Sequence, residues 1–129
     1  MASGKTDTLQ DAVINNFLRN TSQTATSAYL ALYSVAPGEA TGGTELAAAN
    51  GYAREAIGFG APTTGVASNA GVITFTASGA DWSAIVGHAI CDAATAGNIL
   101  YYEDSIAGPT LGDGNSYEFG IGDVTVTET

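Results

Sequence analysis

From Ala28 onward the chain is cut at short, near-regular intervals by turn chemistry: Ala36-Pro37-Gly38, Asn69-Ala70-Gly71, Ala93–Gly97, Gly108-Pro109 and Gly112-Asp113-Gly114-Asn115. Between these cuts the apolar residues recur with a period of two or run unbroken for a few positions, which is strand patterning and leaves no room for long helices. Ala28–Val35 is aromatic and aliphatic with no charge, as a strand buried on both faces requires. Tyr52–Phe59 alternates, with Ala53, Glu55, Ile57 and Phe59 opposite Tyr52, Arg54 and Ala56. In Val72–Ala77, Ile73 and Phe75 share one face and Thr74 and Thr76 the other. Ala84–Asp92 and Asn98–Glu103 read as further strands, as do Tyr117–Ile121 and Asp123–Thr127, the last with Val124 and Val126 inward. Gly42–Asn50 suits a helical turn or a loop segment. Some seven short strands with turn chemistry between them argue for a mainly β fold, a β-sandwich or jelly-roll-like domain.

One segment breaks the rule. Between Thr6 and Asn20 the apolar residues Leu9, Val13, Ile14, Phe17 and Leu18 fall on one face of a helix. Thr6 or Asp7 can cap its start, Asp7 and Asp11 suit its positive end, Arg19 its negative end, and Asn20 its stop. The organisation expected is a single domain over residues 1–129, with an N-terminal arm at 1–8, a helix at 9–20 and the sandwich at 28–127. The helix face Leu9, Val13 and Phe17 is expected to pack on the sandwich. Met1–Lys5 has nothing apolar enough beyond Met1 to dock on that core, so the arm is expected to reach toward a neighbouring chain.

The chain of 129 residues has length enough to bury a core without disulfides or metals. Thirteen acidic residues against three basic ones give a formal charge of −10. No stretch can neutralise several phosphates, and an anionic membrane would be repelled, so neither nucleic acid nor membrane is an expected partner. A partner with basic patches would be attracted; equally, the charge can serve solubility alone. The single cysteine, Cys91, cannot form an internal disulfide. The start Met1–Asp7 lacks the apolar run of a secretory signal, and folding in a cytoplasm is expected.

Catalytic chemistry finds little material. His88 and Cys91 are three apart on a strand and point to opposite faces, while His88 and Asp92 share a face but lie about 13 Å apart. His88 reads as a structural histidine and Cys91 as a small buried hydrophobe. One histidine and one cysteine cannot supply the usual four zinc ligands. Glu103, Asp104, Asp113, Glu118 and Asp123 offer oxygen ligands that would suit calcium, but no EF-hand or glycine–aspartate repeat spacing accompanies them, and solvated loop carboxylates are the plainer reading. Gly58-Phe59-Gly60 and Gly120-Ile121-Gly122 lack a following helix and a phosphate-binding lysine, so they read as bulges or tight strand ends. Trp82 is either a core plug or an interface anchor. No enzymatic activity and no cofactor are expected.

Several motifs in order resemble a known family: Tyr29-Leu30-Ala31-Leu32-Tyr33-Ser34-Val35-Ala36-Pro37 after a helix, Thr41-Gly42-Gly43-Thr44-Glu45, Gly51-Tyr52-Ala53-Arg54, Ile73-Thr74-Phe75, Gly79-Ala80-Asp81-Trp82, Ile90-Cys91-Asp92-Ala93-Ala94, Gly97-Asn98-Ile99-Leu100-Tyr101-Tyr102 and Val124-Thr125-Val126-Thr127. Together they are similar to small tailed-bacteriophage virion proteins, labelled tail fibre proteins or capsid decoration (cement) proteins. The resemblance implies a β-sandwich that assembles on the phage particle, often as a homotrimer, with no catalytic residues. It implies turns at the glycines and Pro37, Trp82 and Phe75 in the core, and an acid beside Arg54. Fibre proteins that contact receptors are usually larger, so the resemblance favours a cement protein bound to the major capsid protein on the virion surface. A tail-associated role in receptor or carbohydrate binding is the alternative. The interface candidates are Lys5 and Thr6 of the arm, Arg54, and Tyr52, Tyr101 and Tyr102; together with Tyr117, these tyrosines have rings that would stack on sugars or meet neighbouring subunits.

Overall fold

A computed structural model describes residues 4–24 and 27–128. In chain order these form β1 (Gly4–Lys5), α1 (Asp7–Leu18), β2 (Ala28–Val35), β3 (Thr44–Glu45), β4 (Glu55–Ile57), β5 (Val66–Ser68), β6 (Ile73–Thr76), β7 (Gly87–Cys91), β8 (Ile99–Glu103), β9 (Ser116–Phe119) and β10 (Thr125–Thr127).

The uncharged strand β2 is the spine of a six-stranded antiparallel sheet. One of its edges takes β7, from Tyr29↔Cys91 to Tyr33↔Gly87. The other edge is shared end to end by β4, against Ala28–Leu30, and β3, against Tyr33 and Val35. Beyond β7 lie β8 and then β1. Two antiparallel ribbons, β6–β9 and β5–β10, form the opposing layer.

The period of two then decides which side chains meet. Leu30, Leu32 and Ile90 of the large sheet join Ile73, Phe75, Trp82, Ile85 and Val124 in the main core between the layers. Ala31, Tyr33, Ala89 and Cys91, on the other parity, form a second buried cluster with Ile99 against it. Strand β2 is therefore buried on both faces, which explains its lack of charge. Gly87 is required where β7 passes Pro37: a Cβ there would sit 2.9 Å from Pro37 Cδ and 3.1 Å from the Glu103 carbonyl oxygen. Trp82 is a core residue, 5% exposed, and its indole N–H donates to the Asn50 carbonyl at 2.9 Å. Asn69, 2% exposed, ties the ribbons together. Its Oδ1 accepts from the Val124 N–H at 2.9 Å, and its Nδ2 donates to the Gly71 and Gly120 carbonyls at 2.7 and 3.0 Å.

Four expectations need correction. The N-terminal arm is docked, not extended: Gly4 and Lys5 pair with Tyr102 and Tyr101 of β8, and Lys5 Nζ meets Glu128. Met1–Ser3 of that arm lie outside the described residues. Strand pairing needs backbone partners and not apolar side chains, which is why an apolar-poor segment is nevertheless held. Second, the helix starts two residues earlier than 9 and ends at Leu18, with Thr6 as N-cap and Asn20 in the left-handed region at φ 54° as its stop. Third, of the expected packing face Leu9, Val13 and Phe17, only Leu9 turns toward the sandwich, beside Leu100. Val13, Ile14, Phe17 and Leu18 are 36, 49, 76 and 79% exposed. Fourth, Gly42–Asn50 holds the short strand β3, and Val66–Ser68, unremarkable in sequence, pairs with β10.

Thr6 explains how the helix is held. Its hydroxyl accepts from the Leu9 N–H and donates to the Ile99 carbonyl at 2.6 Å, while its own N–H donates to the Leu100 carbonyl at 3.0 Å. The residue is 6% exposed, so these groups have no water to turn to. Thr6→Val keeps the shape and removes the hydroxyl. It should lower stability by about 1–2 kcal/mol, read from urea unfolding midpoints; an unchanged midpoint would mean that the cap carries no stabilisation.

Candidate interaction surface

Two of the expected interface residues are internal. Tyr52 is 6% exposed and lies in the main core, edge-on to Trp82 with ring centroids 5.6 Å apart. Its hydroxyl accepts from the Leu32 N–H at 3.0 Å and donates to Glu45 Oε1 at 2.7 Å. It has no face left to stack on a sugar. Burial, with Glu45 as acceptor, pushes its phenol pKa up.

Arg54 grips the same carboxylate from the other side. Its Nε and one terminal nitrogen donate to the two oxygens of Glu45 at 2.9 and 2.8 Å, and the other terminal nitrogen donates to the Ala93 and Ala96 carbonyls, both at 2.8 Å. The guanidinium is thus spent inside the molecule, joining β3 to the β7–β8 turn across the second buried cluster. An arginine with its donors so engaged is a brace and offers little to a partner.

Lys5, Thr6, Tyr101 and Tyr102 are brought together by the β1–β8 pairing. They divide by face. The Tyr101 ring packs against the main core, and its hydroxyl donates to Glu128 Oε2 at 2.7 Å, beside the Lys5 ammonium. Tyr102 is half-buried over Gly4, whose missing side chain would otherwise meet its ring at 3.5–3.7 Å. The group closes the edge of the large sheet, and only parts of the two rings remain open.

His88 and Cys91 stand on opposite faces of β7, as their spacing requires. Cys91 is fully buried beside Tyr33, and burial raises its thiol pKa, so the thiolate needed for nucleophilic chemistry is disfavoured. His88 points between the layers. Nε2 lies 3.0 Å from the Tyr117 hydroxyl, Nδ1 lies 3.6 Å from Glu103, and the ring meets Phe119 edge-on at 5.0 Å. Asp123 lines the same small cleft. The Glu103 carboxylate favours the imidazolium, but burial prevails and brings the pKa down to about 4.

The sign follows directly. The unfolded chain binds a proton on this histidine near pH 6.5 and the folded chain only near pH 4, so stability is full above the first value and falls as pH drops toward the second. The loss should be on the order of 2 kcal/mol between pH 7 and 4, allowing for Glu103. His88→Gln should flatten that part of the pH profile of the urea midpoint. An equally steep profile in the variant would remove His88 as the cause.

Of the acidic residues considered for calcium, Glu103 and Glu118 lie on β8 and β9 and Asp104, Asp113 and Asp123 in loops, with Glu103 and Asp123 alone sharing the cleft beside His88. Asp113 accepts from the Gly79 N–H, Asp123 from the Gly120 N–H, and Glu118 from the Thr74 hydroxyl. Among the described residues no three of His, Cys, Asp and Glu are grouped so as to hold a metal ion. Nor, among those residues, is any helix long and apolar enough to cross a membrane.

The largest departure from a closed surface is on α1. The helix turns Leu9, Ala12 and Asn15 toward a groove with Asp92, Asn98 and Leu100. Val13, Ile14, Phe17 and Leu18 are left facing outward. The periodicity of these residues was legible in the sequence; the direction in which the stripe points was not, because it is set by the capping contacts of Thr6, by Asp7, whose N–H donates to the Glu39 carbonyl, and by Gln10, whose amide donates to Lys5 and Glu39.

Comparison with known families matches almost the whole length of the chain: the model described as podophage GP4 fiber I protein gp80 covers residues 4–127. No curated protein matches the chain.

Proposed function

The chain belongs to the family of podophage GP4 fiber I protein gp80, and from that premise we propose that it is a non-catalytic, self-assembling subunit of a tail fibre. At the coarser level it is a structural protein of the tailed-phage virion. The observation that carries the finer reading is the contrast between a body in which, among the described residues, every buried side-chain polar atom has a hydrogen-bond partner and one helix that presents exposed apolar side chains. Such a molecule is built to be packed against and not to turn over a substrate.

Fibre is preferred to capsid cement on two grounds. The matched family carries the fibre name. One of the supports for the cement reading, an N-terminal arm free to reach a neighbour, is weakened, because the Gly4–Thr6 part of that arm is tied to β8 and capped onto α1. Immunogold labelling of intact virions with an antibody to this chain tests the choice. Label at the tail is the expected result; label over the icosahedral shell would return the protein to the capsid and to the major capsid protein as partner.

A further inference from the structure

We propose that residues 4–18, strand β1 with helix α1, form a strap that lifts from the domain as one unit while the two β layers stay folded, whatever the place of the protein in the virion. What α1 lacks is a buried side chain. None of its 12 residues is buried, and Val13, Ile14, Phe17 and Leu18 are open to solvent. Leu9 and Ala12 are its apolar side chains in the groove with Leu100. A helix of this length is marginal in water unless an apolar face is packed. The large sheet differs, since Leu30, Ala31, Leu32 and Ala89 are fully buried. Local stability follows buried apolar contact, so the strap belongs at the low end and the sheet at the high end.

Strand and helix are fastened through shared side chains. The Thr6 hydroxyl accepts from the Leu9 N–H and donates to the Ile99 carbonyl of β8, so one group serves both the helix cap and the end of the β1–β8 pairing. Gln10 Nε2 donates to the Lys5 carbonyl at 3.3 Å and to Glu39 Oε1 at 3.0 Å, which ties the first helical turn back to β1. Lys5 Nζ meets Glu128, and the Asp7 N–H donates to the Glu39 carbonyl. All of these are polar contacts that water replaces once the strap lifts, so each contributes modestly. A break at Thr6 releases strand and helix together.

Lifting the strap turns β8 into an edge strand. The Ile99 and Leu100 carbonyls and the backbone beside Tyr101 and Tyr102 lose their partners and present an open row of hydrogen-bonding groups. On its other side β8 keeps its pairing with β7, from His88↔Glu103 to Cys91↔Ile99. The main core between the layers takes no residue from β1 or α1, so it stays closed.

Native-state hydrogen exchange of the purified full chain, resolved residue by residue by NMR, tests the strap. The amides of residues 10–18 and the Thr6 amide, which donates to the Leu100 carbonyl, should share one level of protection, about 100-fold or more below that of β2 and β7. Urea below the unfolding transition should hardly change that level, because lifting the strap exposes little new surface. Phe75→Leu, in the main core, should speed exchange in β2 and β7 by about tenfold or more. It should leave Thr6 and α1 as in the wild type, because the strap opens without the core. Amides of α1 that speed up with Phe75→Leu as much as those of β2 would overturn the proposal, since strap and layers would then be one cooperative unit. A Thr6 amide as well protected as β2, with α1 alone exchanging fast, would overturn it too: the helix would then fray from a fixed strand.

Discussion

Arg54→Ala should lower the unfolding free energy by about 3–5 kcal/mol, enough to threaten a domain whose total stability is expected at about 5–15 kcal/mol. The side chain is 9% exposed and its partner Glu45 26%. Truncation removes a two-pronged ion pair and two bonds to backbone carbonyls in one step. It leaves a half-buried carboxylate whose remaining side-chain contact is the Tyr52 hydroxyl, and two turn carbonyls that lose their guanidinium donor. The cost is that of stranded polar groups and not the net worth of one salt bridge. Arg54→Lys should recover less than half of the loss, because a single ammonium cannot reach the forked carboxylate and both carbonyls together. Urea unfolding followed by tryptophan fluorescence suits the measurement, since Trp82 lies edge-on to Tyr52. A loss under about 1 kcal/mol would mean that water replaces the guanidinium and that the brace is ornamental.

Phe75→Ala should cost a similar 3–5 kcal/mol, for a different reason. Phe75 is 1% exposed at the centre of the main core, stacked near Tyr52 at 6.1 Å and edge-on to Phe119 at 6.3 Å. Its neighbours belong to both layers, so neither can collapse into the gap without giving up contacts of its own. Phe75→Leu, which keeps most of the volume, should cost about half as much. Equal losses for Leu and Ala would point to the ring's edge contacts and not to the cavity. The comparison separates packing from aromatic geometry.

The parity of side chains was the part of the fold that sequence made plain. It marked Ala28–Val35 as a buried strand, put Ile73 and Phe75 on one face of their strand with Thr74 and Thr76 on the other, and set His88 opposite Cys91, all of which the structure bears out. What it could not reveal were contacts made by backbone. β1 and β5 are two and three residues long, too short for any period, and they exist because a neighbouring strand offers an edge. The Ala93 and Ala96 carbonyls that complete the Arg54 brace have no side-chain signature at all. The resemblance implied an acid beside Arg54, and Glu45 is that acid, nine residues away across a loop. The helical stripe was visible as a stripe, but periodicity is silent on what lies opposite. Only the placement of Thr6, Asp7 and Gln10 against β1, β8 and the Glu39 loop turns it outward.

That outward face gives the structural reading its reach. A fold whose buried side-chain polar atoms, among the described residues, are all partnered and whose most exposed large apolar side chains, Phe17 and Leu18, stand on one helix is suited to be packed against. The most direct measurement is a cryo-electron microscopy reconstruction of the virion at a resolution that resolves helices, into which this domain is fitted. The domain should lie in the tail fibres, with Phe17 and Leu18 of α1 covered by a neighbouring chain. Copies seated singly on the capsid shell, with Phe17 and Leu18 in solvent, would contradict that.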